Sequence, residues 1–298
     1  MKKNLLIALL LFTISFNAQT TEHILIPGTK LSIIPPKDFV LATNFSGFQN
    51  AEKGASIMVS DLPTSYTKMS EVMNKDALKT QGMVLLNKEI IDFNQAKATL
   101  IFASQESNGM TYNKQILLFG DENNSIMVNG IYPEKFKNLE REIRTSLLSS
   151  LYNKDQKENP LEAVNFTIDI SNTAYKFVKY MSGTLLYSED GKFPSDKGIF
   201  MAGNSIGNVQ TQNLKQYSID RLKKLPYGEK SKVISVNEIA IDNLNGYEII
   251  ASNDRDEIVY QVMLYPKSGY YIILGQAADN KNQNLETFKS LAKTFRQK

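Results

Sequence analysis

The chain has 298 residues, with 34 lysines and arginines against 31 aspartates and glutamates, and a formal net charge of +3. So even a balance gives no clustered positive field for phosphate backbones, and nucleic acid is not expected as a partner. Cysteine is absent and histidine occurs once, which excludes disulfides, thiol redox chemistry, thiolate metal sites and a histidine-based zinc site within one chain.

Lys2 and Lys3 precede an almost unbroken apolar run from Leu5 to Phe16, and Asn17, Ala18 and Gln19 follow. A run of about 12 residues behind two lysines has the form of a secretory signal and falls short of the ~20 residues that span a bilayer. Residues 1–18 are therefore expected to be a signal peptide cut after Ala18, with no cysteine nearby to carry a lipid. No later segment has the length and apolarity of a membrane helix. The expected location is periplasmic or secreted.

The first half covers residues 21–152. Leu31 and Ile33 alternate with polar neighbours before Pro35 and Pro36, and Ala55, Ile57 and Val59 repeat that period of two, the mark of a half-buried strand. Ser65 opens a helix that places Tyr66, Met69, Val72, Met73 and Leu78 at helical spacing. Strands are expected at Lys97–Ser104, Lys114–Phe119 and Ser125–Gly130, separated by polar turns. A closing helix begins near Pro133 and carries Phe136, Leu139, Ile143, Leu147 and Leu151.

Residues 153–160 are polar, without apolar periodicity, and read as a linker. The second half, residues 161–298, repeats the plan. Phe166, Ile168 and Ile170 alternate; Phe177–Tyr187 and Gly198–Ala202 are strands; Leu214, Tyr217, Leu222 and Leu225 lie on a middle helix that Pro226 stops. Strands follow at Val233–Ile241, Gly246–Ser252, Ile258–Tyr265 and Tyr270–Gly275, then a last helix with Leu285, Phe288, Leu291 and Phe295. Ala103-Ser104 echoes Ala251-Ser252, and Asn138-Leu139-Glu140 echoes Asn284-Leu285-Glu286, in the same order. The expected fold is α+β: two similar domains, each an antiparallel sheet packed by a middle helix and a C-terminal helix.

The stretch Leu31-Ser32-Ile33-Ile34-Pro35-Pro36-Lys37-Asp38-Phe39, then Ala55-Ser56-Ile57-Met58-Val59 and the helix from Ser65, resembles the PsbP-like fold. That group takes in extrinsic photosystem proteins, small Ran-binding proteins and bacterial envelope proteins of the DcrB type. In both halves the resemblance ends on a strand closing in Gly130 or Gly275 and a final helix. The second half departs from it by lacking the double proline and by inserting residues 188–197. The resemblance implies an accessory or binding role and supplies no catalytic residue or cofactor.

Candidate chemistry is sparse. His23 stands near a chain end, a poor place for a rigid base. Ser65-Tyr66-Thr67-Lys68, Ser235-Val236-Asn237 and Lys267-Ser268-Gly269 match penicillin-binding motifs in order, but they straddle two expected domains. Asn253, Asp254, Asp256 and Glu257 crowd one turn and Asp121, Glu122, Asn123 and Asn124 another; both offer oxygen ligands for calcium without the spacing of a known loop. Ten of the 14 tyrosines fall after residue 160, and Tyr260, Tyr265, Tyr270 and Tyr271 are the candidates for a partner surface. Ile258–Tyr265, Leu100–Ala103 and Ile116–Phe119 are apolar on both faces, whereas a sheet with one wet face alternates cleanly. The face away from the helices is therefore expected to be covered by the other half or by a partner.

These features point to an exported, cofactor-free, non-catalytic binding or accessory protein of a bacterial envelope. Its partner would be another envelope protein or a small molecule, and its oligomeric state is left open. The competing readings are a hydrolase using carboxylates such as Asp190, Asp196, Asp254 or Asp256, which would need a defined pair, and a purely structural envelope component. Four or five apolar side chains on the last helix, at ~1.5–3 kcal/mol each, contribute a gross stabilisation comparable to the net stability of a whole domain. Deleting residues 285–298 is accordingly expected to unfold the second half; loss of one cooperative transition in a thermal melt checks this, and an unchanged melt contradicts it.

Overall fold

The computed structural model describes residues 22–298 apart from 108, 158, 182, 208 and 210, so the signal peptide expected at residues 1–18 lies outside the described residues. The first sheet contains β1 (Val40–Leu41), β2 (Gly47–Asn50), β3 (Ala55–Leu62), β4 (Met83–Phe93), β5 (Ala96–Ser107), β6 (Met110–Gly120) and β7 (Ser125–Pro133). Its spatial order is β1-β2-β3-β7-β6-β5-β4, antiparallel throughout. Helices α1 (Tyr66–Val72) and α2 (Lys75–Thr80) fall between β3 and β4, and α3 (Leu139–Leu148) follows β7.

The second sheet contains β8 (Lys176–Met181), β9 (Thr184–Ser188), β10 (Ile199–Asn204), β11 (Lys232–Ile241), β12 (Leu244–Ser252), β13 (Ile258–Leu264) and β14 (Tyr271–Ala277). Its order, β8-β9-β10-β14-β13-β12-β11, repeats the first, again antiparallel. Helix α4 (Leu214–Lys223) falls between β10 and β11, and α5 (Lys281–Lys293) follows β14. The fold is thus mixed α+β, with two seven-stranded antiparallel sheets and few helices. Local sequence explains the helix starts: Ser65 Oγ accepts from Lys68 N, Asn74 Oδ1 from Asp76 N and Ala77 N, and Asn213 Oδ1 from Gln216 N.

Apolar cover lies on both faces of each sheet. Leu100, Leu117 and Val128 cluster with Leu139, Ile143 and Leu147 of α3, while Ile101 and Ile116 cluster with Met73 and Leu78. Neighbouring residues on a strand point to opposite faces, so the two clusters are on opposite sides. In the second sheet Tyr260 and Val262 pack with Phe288 and Leu291, and Val259 packs with Leu222 of α4. All seven residues of β13 are buried. The expectation that the other half or a partner covers the second face is therefore corrected: the middle helices cover it.

Gly130 and Gly275 let the closing helices approach. A methyl built on Gly130 would lie 2.3 Å from Ile143 Cγ2, and one on Gly275 would lie 2.2 Å from Phe288 Cγ. Gln115 pairs with Gly130 and Tyr260 pairs with Gly275, which places the two sheets in equivalent register.

Several elements differ from the sequence expectation. The single helix expected from Ser65 through Leu78 is two, α1 and α2, because Asn74 caps a second start. Strand β4 was not foreseen, because its pairing shifts between Leu85 and Asn87 and this bulge reverses the alternation of side chains. The run Phe177–Tyr187 is a hairpin rather than one strand, turning at Gly183, whose φ is 85°. Leu151 is not on the closing helix: α3 ends where Ser149 N bonds to Thr145 O and Ser146 O, and Leu151–Tyr152 pairs with Leu31 and Ser32. In the second half Arg296–Gln297 likewise returns to pair with Phe166–Thr167.

Replacing Gly275 by alanine is expected to destabilise the protein by about 1–3 kcal/mol through overpacking against Phe288. Gly207→Ala, where nothing lies within 4 Å, is the control. Urea unfolding of both variants checks this.

Candidate functional site

The tyrosines nominated for a partner surface are placed mostly inside. Tyr260 is 1% exposed and donates to Glu248 Oε2 at 3.0 Å. Burial, with the Glu248 charge beside it, pushes its phenol well above the ordinary range. Tyr270 and Tyr271 are 8% and 6% exposed. Tyr271 meets Phe295 at a tilt and Phe166 edge-on, and Tyr270 meets Tyr217 and Tyr265, with Arg221 over its ring. Tyr265 is half-buried; its hydroxyl lies 2.7 Å from Ser218 Oγ and donates to Leu214 O, and burial lifts its pKa to about 12. Tyr260 and Tyr271 lie on strands and belong to the core of the second sheet, and Tyr270, just before β14, is buried beside Tyr217 and Tyr265.

The other candidates hold local structure. His23 Nε2 donates to Ser149 O at 2.8 Å, which ties the first described residues to the end of α3. Ser65 caps α1, Ser235 lies on β11, and Lys267-Ser268-Gly269 forms the turn between β13 and β14. Asp190 accepts from Ser188 Oγ, Ser195 Oγ and Lys192 N, stapling the inserted loop. Asp196 and Asp254 are exposed, and Asp256 pairs with Lys281 at 2.7 Å. Asn253 Oδ1 accepts from Arg255 N and Glu257 N, while its amide donates to Glu257, so that turn binds itself together. In the other acidic turn, Asp121 Oδ1 accepts from Asn123 N and Asn124 N, and Oδ2 from Lys154. Among the described residues no group of three or more histidines, aspartates or glutamates is placed to hold a metal ion.

The features that do converge are the free sheet edges. Strands β4 and β11 end their sheets, and both are long. In β4 the bulge sets Leu85 opposite Ala103 and Asn87 opposite Phe102; in β11 it sets Val233 opposite Ala251 and Ser235 opposite Ile250. Phe102 pairs with Gln115 and Ile250 with Tyr260, so the two bulges occupy equivalent positions. The extra residue is aliphatic in each: Leu86 is 61% exposed and Ile234 is 64% exposed. Val84 and Ile90 on β4 are also exposed.

A groove borders each edge. One of about 480 Å³ is lined by Leu86, Asn87, Glu89, Phe102, Lys137 and Arg144; the other, about 570 Å³, by Leu214, Glu238, Ile239, Asn245, Tyr247 and Tyr265. Arg144 Nη2 donates to Glu89 Oε1 at 2.9 Å and covers the Phe102 ring at 5.3 Å. Sequence reasoning missed Leu86, Ile90 and Ile234. Their signal was the adjacent apolar pairs Leu85-Leu86 and Ile90-Ile91, which break the period of two.

No family model matches the chain, and no curated protein matches it. Among solved structures, similarity is found to a chain of the Tle4–Tli4 complex, at 15% identity and a TM-score of 0.40, covering 92% of this chain and 97% of that one. Immunity protein TplEi of T6SS from Pseudomonas aeruginosa, complexed with "L" peptide, matches at 12% identity and a TM-score of 0.34, covering 93% of this chain and 98% of that one. A Bacteroides thetaiotaomicron protein matches at 12% identity and a TM-score of 0.31, over 49% of this chain; the chain spans only 52% of its length. Among the described residues no helix is long and apolar enough to cross a membrane.

The Asp121 contacts hold its carboxyl at a pKa of about 2, the Asn123 and Asn124 N–H groups contributing most. A depressed folded-state pKa favours folding above the unfolded value of about 4, and that contribution is lost as pH falls through about 2. An NMR titration of Asp121 is expected to show a midpoint near 2; a midpoint in the ordinary carboxylate range contradicts the turn geometry.

Proposed function

We propose that this is an exported, non-catalytic accessory protein of a bacterial envelope that binds another protein by strand addition at its sheet edges. The observation that carries the proposal is the pair of long edge strands with exposed aliphatic residues at equivalent bulges, Leu86 and Ile234. An edge strand presents unpaired N–H and C=O groups, and an incoming strand satisfies them while its side chains enter adjoining grooves. Residues 21–152 and 161–298 act in this proposal as repeated PsbP/DcrB-like domains joined by the linker 153–160, with a leader removed after Ala18. The shared strand order and the short strands that tie each half's beginning to its end support that division. In it each sheet carries a middle helix on one face and a closing helix on the other.

A photo-reactive residue at Ile234, or at Leu86, tests this in the native envelope, with the exposed Lys223 of α4 as the control. A discrete cross-linked partner from Ile234 and none from Lys223 is expected. Equal labelling from both sites, or none from Ile234 and Leu86, would reject the edges as the binding surface.

A further inference from the structure

We infer that the edge of the first sheet is a contact between two copies of this chain, β4 pairing antiparallel with its counterpart about a twofold axis at Ile90. The inference rests on the edge-binding reading above and assigns one edge to a particular occupant.

The bulge at Leu86 interrupts regular pairing, so the uninterrupted part of β4 runs from Asn87 to Phe93. Its central residue is Ile90, 68% exposed. Two sheets joined edge to edge keep their faces only when directly opposed residues point the same way. About Ile90, that rule sets Ile90 against Ile90 and Lys88 against Asp92 of the second copy; the symmetry repeats the charged pair. Lys88 Nζ donates to Ser70 O, which fixes Lys88, Ile90 and Asp92 on the face carrying α1. An ammonium has three protons, so that bond leaves others for a carboxylate. Asp92 engages Lys97 through Oδ1, with side chains 86% and 62% exposed, a solvated pair that holds it weakly.

Neighbouring registers lack this match. An axis at Lys88 opposes Lys88 to itself, and an axis at Glu89 opposes Glu89 to itself. The second sheet supplies an internal contrast. Its uninterrupted edge, Ser235 to Ile241, centres on Glu238, so self-pairing there brings like charges together. The position that is Ile90 in one sheet is Glu238 in the other; β4 is suited to a copy of itself and β11 is not.

Sedimentation of the full chain is expected to show a concentration-dependent dimer. Lys88→Glu or Asp92→Lys alone opposes like charges at both pairs and is expected to raise the dimer Kd on the order of tenfold. The double variant Lys88→Glu/Asp92→Lys restores opposite charges and is expected to recover the dimer, whereas Glu238→Lys leaves it unchanged. Circular dichroism melts of each variant verify folding. A chain that stays monomeric at millimolar concentration overturns the inference, as does a dimer indifferent to single swaps or one the double variant does not rescue. None of these outcomes touches the Ile234 cross-link, so failure here is separable from failure of the edge-binding reading.

Discussion

The central strands of both sheets are apolar on both faces, and the rest of the architecture follows from that. A sheet built from Ile116-Leu117-Leu118 or from the wholly buried β13 must be covered twice. One cover comes from the closing helix, seated over Gly130 or Gly275. The other comes from the connection that carries the chain from the middle of the sheet to its far edge, from β3 to β4 and from β10 to β11. That connection has to pass over a face, and the helices within it cover what it passes.

Buried polar groups show how two similar lattices are fastened differently. Gln115 Nε2 donates to Glu140 O and ties the closing helix to the first sheet, while Gln261 Nε2 donates to Ser218 O and ties the middle helix to the second. Each glutamine retains a buried Oε1 without a partner among the described residues. A lone buried acceptor costs about 1–3 kcal/mol, so each fastening is partly offset by its own desolvation. The halves also touch: Tyr180 and Ser46 hydroxyls lie 2.9 Å apart, and Asn44 Nδ2 donates to Ser205 O and Ile206 O.

Much of the strand and helix pattern was legible because it followed simple periods. Ala55-Ile57-Val59 alternates and is a strand; Leu139, Ile143 and Leu147 recur at helical spacing and are fully buried. Strand β4 was hidden because a bulge shifts the phase of its side chains halfway along, leaving neither a clean two-residue nor a helical repeat. Leu151 fitted the helical spacing but lies beyond the turn at Ser149, where hydrogen bonding rather than hydrophobicity ended the helix. Tyrosine count misled for the same reason that apolar strands did. Composition reports a preference for pleated surfaces, while burial is decided by what lies above and below them. The edges were invisible because whether a strand has one neighbour or two is a property of long-range order, which no local window contains.

Each half begins and ends at one place, Leu31–Ile33 beside Leu151–Tyr152 and Phe166–Thr167 beside Arg296–Gln297. Tension along the chain would therefore reach these short clasps first and peel them open a rung at a time, before loading the long strands behind them. Opening a clasp would also draw Leu31 and Ile33, or Phe166, out of the hydrophobic cluster beside it, so each clasp seals the core it borders.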